Sequence, residues 1–217
     1  MSIHILLCGA TGFIGRNLLD RFLKDPQYSI VAPYHRTTPP QNLAKHSRLR
    51  WIKADLTNPK DVARLTKGMD LLIQAAATTS GAKDIVARPF HHVTDNAMMN
   101  SLLFRACHEH KVKHVIFFSC TVMYPSQDAP VKESDFKHEI TDKYFGVGWT
   151  KVYIEKMAEF YSRLGTTRYT VIRHSNIYGP HDKFDLEKSH VFGATIAKVM
   201  SSKSRKVVVW GDGSEAR

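Results

Sequence analysis

The sequence has little cysteine. Three residues among 217, Cys8, Cys107 and Cys120, stand at spacings that match no metal site. Reduced thiols in a cytosolic, cytoplasmic protein are the expected state. Twelve histidines are present but scattered, with no HExxH pattern, so no metal is expected. No run approaches the roughly 18 apolar residues that a membrane-crossing helix needs. The apolar start, Met1 to Ala10, is too short for a signal peptide and runs straight into a glycine motif. Neither an internal repeat nor a low-complexity linker is present. The formal charge of +11 suits an anionic partner, but no block of five or six like charges occurs. A phosphorylated small molecule fits that spread better than nucleic acid, and neither nucleic acid nor membrane is expected as a partner.

What is present is an ordinary globular composition, 43% hydrophobic and 24% charged. The length suits one α/β domain, or one domain and a fragment of a second. Short apolar runs alternate with longer amphipathic ones. Strands are expected at Ile3–Cys8, Ser29–Tyr34, Leu49–Lys53, Leu71–Ala75, His114–Ser119, Tyr169–Arg173 and Val207–Trp210. Helices are expected at Phe13–Leu23, Pro59–Thr66, His92–His110, Val147–Leu164 and Ser189–Ser201. This alternation predicts βαβ units and a doubly wound, Rossmann-type parallel sheet covered on both faces. Segments 78–90, 124–145 and 179–188 read as loops, where a site is to be sought.

The first turn, GATGFIG from Gly9 to Gly15, follows a strand and opens a helix. Glycines there let the backbone approach a pyrophosphate, and the helix start offers free N–H groups. That context points to a dinucleotide, with Gly9, Thr11, Gly12, Phe13, Ile14 and Gly15 as the contacting positions. An NAD site usually carries an acidic residue at the end of the second strand. The segment VAPYHR (31–36) has none, and His35 and Arg36 could meet a 2′-phosphate. NADP is therefore favoured over NAD, with the plain alternative that both side chains are surface charges.

Further motifs extend the pattern: Asp55-Leu56 after the third strand, Ala75-Ala76-Ala77 after the fourth, Asn96, Lys151 with Glu155, and RHSNIYGPHDKFDLEKSH from Arg173 to His190. Together they resemble the extended short-chain dehydrogenases/reductases, the nucleotide-sugar epimerase/dehydratase group, and within it the GDP-fucose synthase branch. The resemblance implies Asp55 and Leu56 beside the adenine and Ala75, Ala76 and Ala77 beside the cofactor. Asn96 would support the site, and Lys151, Arg173 and Asn176 would join the cofactor contacts. It implies substrate contacts from Asn176, Lys183 and His190, the last as a proton donor. Its substrate would be a nucleoside-diphosphate sugar, GDP-linked by preference, and its usual assembly a homodimer built on helices 92–110 and 147–164. Residues 1–173 would form the cofactor domain and 174–217 the start of a substrate lobe, incomplete at Arg217.

The resemblance also implies a tyrosine four residues before Lys151, with a hydroxyl near the end of the fifth strand. Val147 stands in the tyrosine position, and Tyr144 is the nearest phenol. Cys120 matches the hydroxyl position, with Thr121 the best hydroxyl beside it. Three readings stay open: an enzyme with a relocated acid/base among Tyr144, Cys120 and His190, an enzyme whose step needs less from that tyrosine, or a cofactor- and sugar-nucleotide-binding protein without turnover.

Overall fold

Apolar side chains that point alternately to two faces make a sheet that must be covered twice. The computed structural model describes residues 2–78, 89–124, 129–184, 189, 191–203 and 206–208. Strands β1 (Ile3–Cys8), β2 (Tyr28–Tyr34), β3 (Leu49–Lys53), β4 (Leu71–Gln74), β5 (His114–Phe118) and β6 (Arg168–Ile172) pair in parallel. Their order is β3-β2-β1-β4-β5-β6. The helices are α1 (Phe13–Phe22), α2 (Pro59–Thr66), α3 (Pro89–Glu109), α4 (Phe145–Arg163) and α5 (Val191–Ser201).

Leu6, Cys8, Leu72, Val115 and Phe117 face one side. There they pack with Val62 and Leu65 of α2, Leu103 and Phe104 of α3, and Ile154 and Ala158 of α4. Ile5, Leu7, Ile30, Ala32 and Ile73 face the other side, against Leu19 of α1. This is the doubly wound, Rossmann-type arrangement expected from the alternating pattern. Strand order reverses between β1 and β4, where Cys8 stands opposite Gln74. Such a switch point leaves a crevice at the C-terminal strand ends, which is where ligands of this architecture bind.

Local signals set most boundaries. Asn58 caps α2 by accepting from the Lys60 N–H at 2.9 Å, and Pro59 takes the first turn, where its missing N–H costs nothing. The third helix begins at Pro89 rather than His92, for the same reason of a proline at the first helical position. The expectation of a strand over Val207–Trp210 is corrected in part. Residues 206–208 join no strand, and Trp210 lies outside the described residues. Hydrophobicity alone could not distinguish an apolar segment that finds a sheet edge from one that does not.

At the opposite end of the sheet, Asp70 ties three strand starts together. Its carboxylate accepts from the His4 N–H at 2.9 Å and from Lys113 Nζ at 2.8 Å. Its carbonyl accepts from the N–H groups of Lys113 and His114. The His4 N–H, then the Lys113 ammonium, hold the carboxyl below its ordinary range. A depressed folded-state value stabilises the protein above the ordinary carboxylate range, and that contribution disappears as pH falls through the folded value. Asp70→Asn should therefore lower stability by about 1 kcal/mol at neutral pH. The difference from the unsubstituted protein should shrink on acidification, as read by urea denaturation across pH.

Candidate active site

All six strands end at one edge, so the turns that follow them converge there. The tightest is the first. Gly9 has φ +81°, a left-handed conformation that side chains resist. A Cβ on it would lie 2.6 Å from the Ala75 carbonyl carbon and the Ala76 nitrogen. A Cβ on Gly15 would lie 2.1 Å from the Gly9 carbonyl oxygen. Gly12 caps α1 without a side chain, and its N–H donates to the Gly9 oxygen at 2.9 Å. Gly9 and Gly15 thus let β1, β4 and α1 meet backbone to backbone, while the bare cap presents the first N–H groups of α1 outward. Thr11, Phe13 and Ile14 around it are half-buried. This cradle fits a dinucleotide pyrophosphate.

At the ends of β2 and β3, His35 and Arg36 are exposed, and His35 Nε2 stands 4.0 Å from Asp55 Oδ2. The Thr57 hydroxyl and N–H hold the Asp55 carboxyl below its ordinary range, with a smaller contribution from His35. Leu56 packs its side chain against the core. A carboxylate and an exposed imidazole and guanidinium thus share this corner.

Beyond β4, Ala75 and Ala76 are half-buried and Ala77 is exposed. Asn96 on α3 grips this segment: its Oδ1 accepts from the Thr78 N–H, and its Nδ2 donates to the Thr78 and His92 carbonyls. Both amide hydrogens are committed, so Asn96 holds the loop in place. One turn further on, Asn100 accepts from buried Gln74 at 3.1 Å. The sequence reading missed this Gln74–Asn100 pair. Its signal was a glutamine closing an apolar strand and two asparagines at i, i+4 spacing.

The end of β5 meets α4 through Lys151. Its ammonium donates to the Phe118 carbonyl at 2.8 Å and sits 4.7 Å from the centre of the Phe117 ring. Burial lowers its pKa, and Cys120 and Glu155 partly oppose that shift. Burial raises the Cys120 thiol, against the pull of the Lys151 charge. Cys120 and Lys151 are therefore electrostatic neighbours, and Thr121 follows in the same half-buried turn. Ser119 is fully buried, and its hydroxyl has no protein partner. Val147 lies one helical turn before Lys151, on the same face. Tyr144 precedes the helix as its cap, two turns or about 10 Å along the axis from Lys151. Among the described residues it makes no hydrogen bond to Lys151, Cys120 or Thr121; its ring lies 5.4 Å from Lys143 Nζ.

Arg173, expected among cofactor contacts, is spent elsewhere. It donates twice to Glu155 through Nε at 3.1 Å and once through Nη2 at 2.7 Å. Its Nη1 donates to the Tyr124 hydroxyl at 2.7 Å and the Glu133 carbonyl at 2.9 Å. With one donor position left, Arg173 is a clamp that joins β6, α4 and the Cys120–Tyr124 turn. A fork-shaped guanidinium matched to a carboxylate explains the choice of arginine. Asn176 and Lys183 are exposed, and His190 lies outside the described residues. The intervening stretch docks on α1: Asn17 Nδ2 donates to the Pro180 carbonyl at 2.7 Å, and His181 Nε2 meets Asp20 Oδ2 at 2.9 Å. Among the described residues, no group of His, Cys, Asp and Glu converges as metal ligands, and no helix is long and apolar enough to cross a membrane.

A family model described as the NAD dependent epimerase/dehydratase family matches residues 5–217. The chain belongs to that family. Among its relatives, the GDP-L-fucose synthase of Azorhizobium caulinodans is 28% identical over 98% of this chain, which covers 65% of that enzyme. A dTDP-4-dehydro-6-deoxy-D-allose reductase of a Streptomyces species is 27% identical over 98% of this chain and 67% of its own length. The crystal structure of a Bacillus cereus UDP-glucuronic acid 4-epimerase variant, in complex with a UDP-4-deoxy-4-fluoro-glucuronic acid and NAD, superposes with a TM-score of 0.81. It is 27% identical, over 97% of this chain and 67% of that one. The chain thus spans about two thirds of the length of these family members.

The cradle makes a sharp prediction. Gly15→Ala should weaken dinucleotide binding by about tenfold or more, because its methyl group must displace the Gly9 carbonyl. Isothermal titration with NADPH checks this, with circular dichroism to confirm that the sheet remains intact.

Proposed function

We propose that this family member is an NAD(P)-dependent enzyme acting on a nucleoside-diphosphate sugar by hydride transfer at the sugar, as an epimerase, reductase or dehydratase. The observation that carries the reading is the pairing of two features at one edge: the side-chain-free cradle of Gly9, Gly12 and Gly15, and the Lys151 ammonium at the end of β5. Gly9, Thr11, Gly12, Phe13, Ile14 and Gly15 would hold the pyrophosphate. Asp55 and Leu56 would border the adenine, Ala75, Ala76 and Ala77 the middle of the cofactor, and Lys151 the nicotinamide ribose. When bound, the nicotinamide accepts or supplies the hydride. The chain's own groups bind, orient and exclude water, and Cys120 or Thr121 would approach the reacting sugar oxygen.

GDP-linked sugars are favoured because the run from Tyr178 to Phe184 resembles that of the GDP-fucose synthase branch. The relatives named above, however, act on or bind GDP-, dTDP- and UDP-linked sugars. Asn176, Lys183 and His190 are the proposed sugar-nucleotide contacts. Residues 174–217 would begin the substrate lobe, after a cofactor domain over 1–173. Exposed Met98 on α3 and Tyr153 and Phe160 on α4 support a homodimer through those helices. The reduced thiols favour a cytoplasmic setting.

The test is loss of dihydronicotinamide absorbance when the full-length protein meets NADPH and GDP- or UDP-linked 4-keto-6-deoxy sugars. Consumption of NADPH, or conversion of the sugar seen by chromatography without net consumption, supports the reading, whereas tight binding of both ligands without any sugar conversion favours the non-catalytic alternative that Val147 motivates. NADP is favoured over NAD because exposed His35 and Arg36 close β2 with no acid beside them on that strand. Arg36→Ala should weaken NADPH about tenfold while leaving NADH within about twofold.

A further inference from the structure

With Val147 in the tyrosine position, the proton that must accompany hydride transfer has to come from another group. Tyr144 stands two turns from Lys151, outside the helix. Ser119 is wholly buried, and Thr121 is an alcohol without an ionisable partner among the hydrogen bonds described. Burial raises the Cys120 thiol, and His190 lies outside the described residues, whereas Lys151 stands at the strand edge with a hydrogen bond to the Phe118 carbonyl. One of its three N–H groups goes to the Phe118 carbonyl at 2.8 Å, which leaves two to offer. Its charge has no counter-ion: among the described residues no carboxylate lies within ion-pair distance, and Glu155, one turn on, is held by Arg173. The face of Phe117 and the Cys120 thiol are among its neighbours. An ammonium that is half-buried, bonded through one of its three N–H groups and unpaired gives up a proton more readily than a solvated one.

We propose that Lys151 is itself the proton carrier of the reaction, in addition to anchoring the cofactor. This rests on the nucleotide-sugar reading above. In the reducing direction, hydride passes from the reduced nicotinamide to the carbonyl carbon, and the carbonyl π pair moves onto oxygen. A Lys151 N–H proton moves to that oxygen, and the N–H electron pair stays on nitrogen as the neutral amine. Water then returns a proton to the amine. The groups that bear on the titration are Cys120 after β5 and Glu155 on α4, the latter bound by Arg173 from the end of β6. Burial moves Lys151 downward, so the reductive rate should fall as pH rises through a value below the ordinary lysine range.

The test uses the full-length holoenzyme with the 4-keto sugar nucleotide that it consumes. Lys151→Arg keeps the charge and the donors, but a guanidinium does not release its proton. The expected result is a kcat, measured at saturating NADPH, lower by about a hundredfold or more. Adding Val147→Tyr to that variant should recover about tenfold or more, because a phenol then stands one turn before the cation. Independently, the Lys151 side-chain resonance, identified by its contact with the Phe117 ring, should titrate together with the alkaline limb of kcat. A Lys151→Arg enzyme that turns over within about threefold of the parent would overturn the proposal. So would a Lys151 resonance that titrates with the surface lysines, and this second measurement stands even if the variant does not fold. A parent protein that neither binds nor converts any such sugar nucleotide instead defeats the nucleotide-sugar reading itself.

Discussion

The fold depends on a place where three backbones touch with no side chain between them. Gly9 lies against Ala75 and Ala76, and Gly15 lies against Gly9. Because of this contact α1 can start directly above the switch point of the sheet. Its first N–H groups then point into the crevice rather than over solvent. A methyl group at Gly9 or Gly15 would clash with backbone, which has no rotamer to change. The anion-binding end and the sheet order are therefore one constraint seen from two sides.

The edge where β5 and β6 end is held by a different kind of contact. Arg173 joins Glu155, the Tyr124 hydroxyl and the Glu133 carbonyl, and its guanidinium lies near the rings of Tyr124 and Phe136. Asn96 does similar work for the segment beyond β4. These groups bind other parts of the chain. They fix the turns that carry Cys120, Thr121 and the alanines, so that a small reacting geometry rests on rigid elements.

Much of this was legible from residue types alone. The strands Ile3–Cys8 and Leu49–Lys53 and the helix Pro59–Thr66 carry periodicity or capping signals that act locally, and their observed bounds coincide with the sequence reading. The glycine turn was legible because its physics is backbone physics. Lys151 was placed by its spacing to neighbouring motifs. What could not be read were side-chain partners distant in sequence. Arg173 looks like a ligand-binding cation until Glu155 is seen 2.7 Å away. The apolar run at 207–210 looks like a strand, yet Val207 and Val208 pair with no strand. A pattern reports which face of a segment wants burial, but not whether a neighbour is available to bury it.

The docking of Pro180 and His181 onto Asn17 and Asp20 has a thermodynamic consequence. The helix that would hold one ligand by its N-terminus also braces, on its flank, the chain segment assigned to the other ligand. Two occupants that lean on a common wall cannot be energetically independent. Any free energy by which the first steadies that wall is returned in equal measure to the second, whichever arrives first. On the proposed reading, residues on the outer surface of α1, remote from the sugar site, would acquire a hold on how tightly a sugar is kept.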